Sequence, residues 1–179
     1  MKKLIFLSGP ASSGKTTTLK MLIVKLLQAG ASIEFLTQKP YPTSQALQNT
    51  LINAIKNNTA SSNDIIIILK IDGVKIGIRT MGDSIGNVWD NVWFFEKHKC
   101  DIGVSACHPE HLDRSIACLA APWKCKEIID KKKTDNSNAY YQENDCKAQT
   151  LFDIIMATVN QINQSQQAIN QAPSAQGKI

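Results

Sequence analysis

Eight residues near the start of the chain, Gly9-Pro-Ala-Ser-Ser-Gly14-Lys15-Thr16, set two glycines, a lysine and a hydroxyl at the spacing GxxxxGKT. The apolar run LIFL precedes them and a stretch of helical periodicity follows, so they fill the turn from a buried strand into a first helical turn. That arrangement suits a polyphosphate. The loop through Gly9, Ala11, Ser12, Ser13 and Gly14 turns its N–H groups inward as an anion nest, glycine permits close approach, and the helix start adds its positive dipole end. Lys15, expected to be exposed above the loop, reaches the β- and γ-phosphates; the Thr16 hydroxyl helps to hold Mg²⁺ and Thr17 lies beside the α-phosphate.

Other reactive side chains gather elsewhere. Cys107-His108-Pro109-Glu110-His111 has the short spacing that zinc uses, but lacks a fourth ligand. As a strand-to-helix loop, the same segment places His108, Glu110 and His111 where open α/β sheets build ligand crevices. Arginine occurs only at positions 79 and 114. Arg114, about one turn after Glu110 and His111, is the candidate clamp for a γ-phosphate or leaving group, with an i,i+4 ion pair to Glu110 as the competing reading. Arg79, on the strand before Asp83, is placed to reach a ligand at the sheet edge. Between Trp123 and Lys133 five lysines stand against Glu127 and Asp130. This patch reads either as the solvated edge of a strand or as a surface for phosphates or an acidic partner.

Short β-like runs alternating with helical ones are what must position these groups, and they predict a mainly parallel sheet covered on both faces. Strands are expected over Lys3–Ser8, Ser32–Thr37, Asp101–Ala106 and Lys126–Asp130. Asp72-Gly73 between Asp64–Ile71 and Val74–Thr80 predicts an antiparallel hairpin, over about 64–80, with its second arm deeper in the sheet. Helices are expected over Lys15–Ala29, Ser44–Asn57, Ser84–Lys99, Pro109–Ala120 and Tyr140–Gln164. The helix after Asp83 is expected to bury Val88, Trp89, Val92, Trp93 and Phe95, with Phe94 also in the core. Residues 1–164 read as one domain and 165–179 as a polar, disordered tail.

At 179 residues, with 43% apolar and 20% charged side chains, the chain is long enough for a full core. No apolar run approaches the roughly 20 residues of a membrane span, and the start turns polar too soon for a secretory signal. A cytoplasmic protein with reduced thiols is expected, since five irregularly spaced cysteines make no disulfide framework. Neither a membrane nor nucleic acid is the expected partner. The formal charge is only +5, and aromatic residues do not interleave the lysine patch apart from Trp123.

The strand–GPASSGKT–helix segment resembles the P-loop NTPase superfamily, strictly over residues 9–16 and as an α/β pattern to about residue 164. The resemblance implies a three-layer α/β/α sandwich that binds ATP and Mg²⁺, with a carboxylate near the metal beyond a neighbouring strand. Asp83 is the leading candidate, although it lies beyond the strand end and can equally cap the next helix; Asp72, Asp64 and Asp101 are the alternatives. Asp83-Ser-Ile-Gly86 also spells the DxxG of GTPases. The nearest guanine-reading motif, Lys132-Lys-Thr-Asp135, has lysine where asparagine belongs, so ATP is favoured over GTP. The implied activity is hydrolysis or transfer of the γ-phosphate. Its alternatives are a small-molecule or nucleotide kinase, and a slow or non-hydrolysing regulatory module that acts through a protein partner.

Overall fold

Asp72 and Gly73 both take positive φ, 50° and 83°, the twist a two-residue hairpin turn needs to return one strand beside another. In the computed structural model that turn joins β3 (Ile66–Ile71) to β4 (Val74–Arg79) in continuous antiparallel register. The structure describes residues 2–36, 49, 52–53, 64–111, 123, 125–132 and 137–171. The other strands are β1 (Lys3–Ser8), β2 (Ser32–Leu36), β5 (Ile102–Cys107) and β6 (Cys125–Asp130). They form one sheet in the order β2-β3-β4-β5-β1-β6. β4 pairs parallel with β5, and β1 parallel with both β5 and β6. β2 adds to β3 antiparallel, through a register shift between Ile33 and Phe35. Only β3 therefore runs against the rest, and the second hairpin arm lies inside the sheet as expected.

Alternation along β1 divides the core in two. Ile5 and Leu7 face α1 (Lys15–Gln28) and α3 (Ser137–Gln171), whereas Leu4 and Phe6 face α2 (Ile85–Lys97). The result is a three-layer α/β/α sandwich. α1 buries Leu19, Leu22, Ile23 and Leu26, and α3 lays Ala148, Leu151, Ile155, Val159 and Ile162 along one side. Among the described residues, no helix is long and apolar enough to cross a membrane.

α2 departs from expectation. Its buried line is Val88, Asn91, Val92 and Phe95, with Phe94 beside it, while Trp89 and Trp93 are 42% and 63% exposed. The reason lies in the sheet. Gly77 and Gly103 are register partners on β4 and β5, and a Cβ on either would stand 2.5 Å from the Phe95 ring. Two bare positions side by side make a slot for that ring, which fixes the helix rotation and turns the tryptophans outward.

A second departure is at the C-terminus. α3 continues through the expected boundary at residue 165 to Gln171, with Ile162 its last buried residue. The expected helices over Ser44–Asn57 and Pro109–Ala120 are described only at Asn49, Ile52, Asn53 and Pro109–His111, all helical; their remainders, and the tail over 172–179, lie outside the described residues. Gly77→Val is expected to displace Phe95 and lower unfolding free energy by about 1–3 kcal/mol, the usual scale of overpacking. Urea unfolding followed by far-UV dichroism measures it.

Candidate functional site

The loop between β1 and α1 leaves the sheet still tethered to it. Gly9 N–H donates to the Cys107 carbonyl at 3.1 Å, and Lys131 N–H donates to the Ser8 carbonyl at 2.6 Å. Ser12 and Gly14 then take φ of 57° and 87°, and Ser13 N–H bends back to the Pro10 carbonyl at 3.3 Å. Gly14 is the N-cap of α1, and among the described residues no side chain caps that end. The loop is thus a coiled run of backbone opening on a helix N-terminus, the geometry that favours an anion.

Its walls demand both glycines. A Cβ at Gly9 would stand 2.6 Å from the Lys131 carbonyl, and one at Gly14 would stand 2.5 Å from Asn144 Oδ1 and 2.8 Å from the Tyr140 hydroxyl. Thr18 Oγ1 donates to the same Asn144 oxygen at 3.0 Å, which ties the first turn of α1 to α3. Lys131 is part of this wall rather than of a surface patch. Buried, it lies 3.6 Å from Glu143 and over the Tyr140 ring, and burial lowers its pKa against the pull of Glu143. Around the loop, Ser8 Oγ, Ser13 Oγ and Asn144 Nδ2 are buried without a hydrogen-bond partner among the described residues.

Lys15 is not exposed above the loop, as expected from sequence, but only 6% accessible. Its Nζ donates to the carbonyls of Gly9 at 2.7 Å and Pro10 at 2.8 Å, with Asp83 Oδ1 at 3.8 Å. The side chain folds back because those three acceptors lie within its reach. Burial lowers its pKa, while Asp83 and Cys107 act in the opposite sense. Below it, burial pushes the Cys107 thiol up to about 11, with Lys15 opposing.

Asp83 reaches Lys15 across the end of β5, the strand between β1 and β4. Several contacts hold its segment there. A Cβ at Gly82 would collide with the Ala106 carbonyl, and the Gly82 carbonyl accepts His108 N–H at 3.1 Å. Asn91 Nδ2, from α2, donates to the Met81 carbonyl at 2.6 Å and to Ser105 Oγ at 2.7 Å. His111 Nε2 lies 3.2 Å from the Asp83 carbonyl, which can only accept, so that nitrogen carries the proton. Ser84, not Asp83, caps α2, accepting Asn87 N–H at 3.2 Å. Among the described residues the Asp83 carboxylate is therefore left to Lys15 and solvent, 79% exposed.

The other carboxylates are committed elsewhere. Asp64 accepts from Thr80 at 2.8 Å, two strands beyond β5, and Asp101 accepts Lys75 N–H at 3.0 Å at the opposite end of the sheet, where the Asp72 turn also lies. Arg79 faces α2, its guanidinium 5.4 Å from the Phe94 ring, rather than the loop. Arg114 lies outside the described residues, as do Lys124, Lys133 and the Lys126 side chain. The zinc reading finds no support: Cys107 Sγ turns to its own chain at the His108 carbonyl, and among the described residues no group of three His, Cys, Asp or Glu is arranged to hold a metal. His108 and His111 instead stand beside Asp83, their rings 5.6 Å apart.

Sequence reasoning missed Asn91 and Asn144. Each is a fully buried amide on a helix side otherwise occupied by apolar residues, Val88, Val92 and Phe95 in one case and Ala148 and Leu151 in the other. A polar residue in register with an apolar stripe was the available signal. Comparison with family models, curated proteins and solved structures finds no match to the chain.

Asn144→Ala is expected to cost about 1–3 kcal/mol by leaving the Thr18 hydroxyl buried and unpaired. In a double-mutant cycle, adding Thr18→Val recovers part of the loss, because no orphaned donor remains. Urea midpoints of the four proteins measure both effects.

Proposed function

We propose that this chain is an Mg²⁺-dependent P-loop NTPase that binds ATP in the Gly9–Thr17 loop and hydrolyses or transfers the γ-phosphate. One observation carries the reading: the Lys15 amine rests on the Gly9 and Pro10 carbonyls of a coiled anion-type loop, with the Asp83 carboxylate alongside. A triphosphate offers that amine stronger acceptors than two neutral carbonyls. Lys15 then swings from the loop carbonyls to the β- and γ-phosphates, while the loop N–H groups and the first turn of α1 receive the β-phosphate.

The residues present fit Mg²⁺. This ion keeps several waters and needs few protein ligands, so the half-buried Thr16 hydroxyl with the exposed, uncapped Asp83 carboxylate is a sufficient set. When bound, it neutralises charge on the phosphate oxygens. Asp83 would accept from its water shell, and His111 holds the Asp83 backbone in place. His108 and His111 stand on the Asp83 side of the site. A kinase is the same site with an acceptor in place of water.

A second reading, a nucleotide-dependent module that works through a partner, draws on the exposed tryptophans of α2, the helix that begins just after Asp83.

Phosphate release with Mg²⁺ and ATP or GTP tests the proposal. Lys15→Ala is expected to keep its far-UV dichroism, lose triphosphate binding and slow turnover by roughly a hundredfold or more, the scale of losing one stabiliser of developing charge. Binding unchanged in that variant overturns the reading. Asp83→Asn is expected to lower kcat far more than nucleotide affinity; equal activity assigns the metal role to another group.

A further inference from the structure

Val88, Asn91, Val92 and Phe95 are buried along α2, so an amide occupies a place that packing alone would give to an aliphatic side chain. Asn91 is 0% exposed, and its Oδ1 has no hydrogen-bond partner among the described residues. That half of the amide costs the fold stability. The other half is fully used, since Nδ2 donates to the Met81 carbonyl at 2.6 Å and to Ser105 Oγ at 2.7 Å. Ser105 Oγ in turn donates at 2.8 Å to the Ala106 carbonyl, the group against which Gly82 is pressed. One side chain thus joins α2, β5 and the backbone that leads into Asp83.

Asp83 depends on that backbone for its place. Its carboxylate is exposed, and Lys15 stands 3.8 Å away, beyond a close hydrogen bond. Two further hydrogen bonds hold its segment: the Gly82 carbonyl accepts His108 N–H, and the Asp83 carbonyl meets His111 Nε2. The His111 contact is exposed, so water competes for both partners. The Met81 contact comes instead from a side chain seated in the core.

We propose that Asn91 is a positioning residue for the metal-side carboxylate: it holds the Met81–Gly82 backbone on the end of β5 and so sets where Asp83 stands beside Lys15. The inference rests on the reading of Asp83 as the carboxylate that serves Mg²⁺. That ion demands near-ideal geometry from a small set of oxygens. A carboxylate on a loose segment must first be ordered, and the ordering appears as weaker metal binding. Asn91 itself touches neither metal nor nucleotide; its effect passes through Met81 and Gly82.

The His108 N–H reports this tie without any ligand, because it donates to the Gly82 carbonyl at 3.1 Å. In the ligand-free chain, Asn91→Ala is expected to speed hydrogen exchange at His108 by about tenfold or more, the mark of a local opening. The Gly9 N–H, bonded to the Cys107 carbonyl, keeps its rate. Val92→Ala truncates the neighbouring core position and lowers the urea midpoint as well, but is expected to leave His108 exchange near wild type. Exchange unchanged in Asn91→Ala, or raised as much by Val92→Ala, overturns the proposal.

Metal dependence supplies the second readout. The Mg²⁺ concentration for half-maximal phosphate release from ATP is expected to rise about tenfold in Asn91→Ala, the scale for a group that orients a metal partner, with ATP affinity in EDTA within about twofold of wild type. Val92→Ala again stays near wild type. Asp83→Asn separates this inference from the reading beneath it. If Asp83→Asn raises the Mg²⁺ requirement and Asn91→Ala does not, Asp83 keeps its role and the positioning role is overturned. If Asp83→Asn changes nothing, or the wild-type chain neither binds nor turns over nucleotide, the metal reading itself fails and the positioning role falls with it. Asn91→Val, which leaves less empty space, takes the place of Asn91→Ala should that variant lose its far-UV dichroism.

Discussion

The loop at the end of β1 is approached by three parts of the chain at once, and the rest of the site follows from how closely they come. The segment after β6 puts the Lys131 carbonyl against Gly9, α3 puts Asn144 and Tyr140 against Gly14, and the segment after β4 brings Asp83 to Lys15. A Cβ at either glycine would lie within 2.6 Å of a neighbouring oxygen. Real Cβ atoms do not tolerate such contacts, so the glycines are set by packing from outside the loop as much as by any ligand within it. Gly14 adds a backbone requirement, since its φ of 87° is strained for other residues.

Burial of Lys15 is the electrostatic counterpart of that crowding. Removing an ammonium from water is costly, and it persists only where acceptors compensate. Here the compensation is two loop carbonyls and one partly solvated carboxylate 3.8 Å away. Desolvation still leads among the influences on its pKa, so the compensation is incomplete. An anion entering the nest would complete it. The buried Ser8 and Ser13 hydroxyls and the Asn144 amide nitrogen, each without a partner among the described residues, face the same deficit of hydrogen bonding around the loop.

Much of this was legible in the sequence. The Asp72-Gly73 turn, the apolar strands and the helix after Lys15 are governed by local rules: two positive-φ residues, runs too apolar to be exposed, and periodicity near 3.6. The rotation of α2 was not legible. Trp89 and Trp93 are as apolar as Phe95, and which of them faces the sheet depends on Gly77 meeting Gly103 across β4 and β5, a pairing between distant positions. The end of α3 was hidden for the opposite reason. Among the described residues nothing apolar holds 165–171 to the core, yet the polar sequence there contains no glycine or proline to stop a helix already running. Asp83, expected from the sequence as the carboxylate near a metal, lies beside Lys15, but its freedom from capping duty depended on Ser84 taking that role, which Gly82-Asp83-Ser84 alone left ambiguous.

Asn91 ties the segment that carries Asp83 to α2 and to β5. Its amide bonds the Met81 carbonyl two residues before Asp83, and Ser105 on the strand beside β1, while its backbone belongs to the helix that carries Trp89 and Trp93. The bond to Ser105 is buried and the bond to Met81 partly so, and a buried amide exchanges partners only at the expense of stranding one of them. Met81 therefore cannot shift far while α2 stays fixed, and α2 cannot turn without pulling on Met81. Phe95, seated in its two-glycine slot one turn further along α2, resists rotation at the same point. Whatever draws on the Asp83 carboxylate thus acts on a segment clamped to a helix that its own packing holds in place.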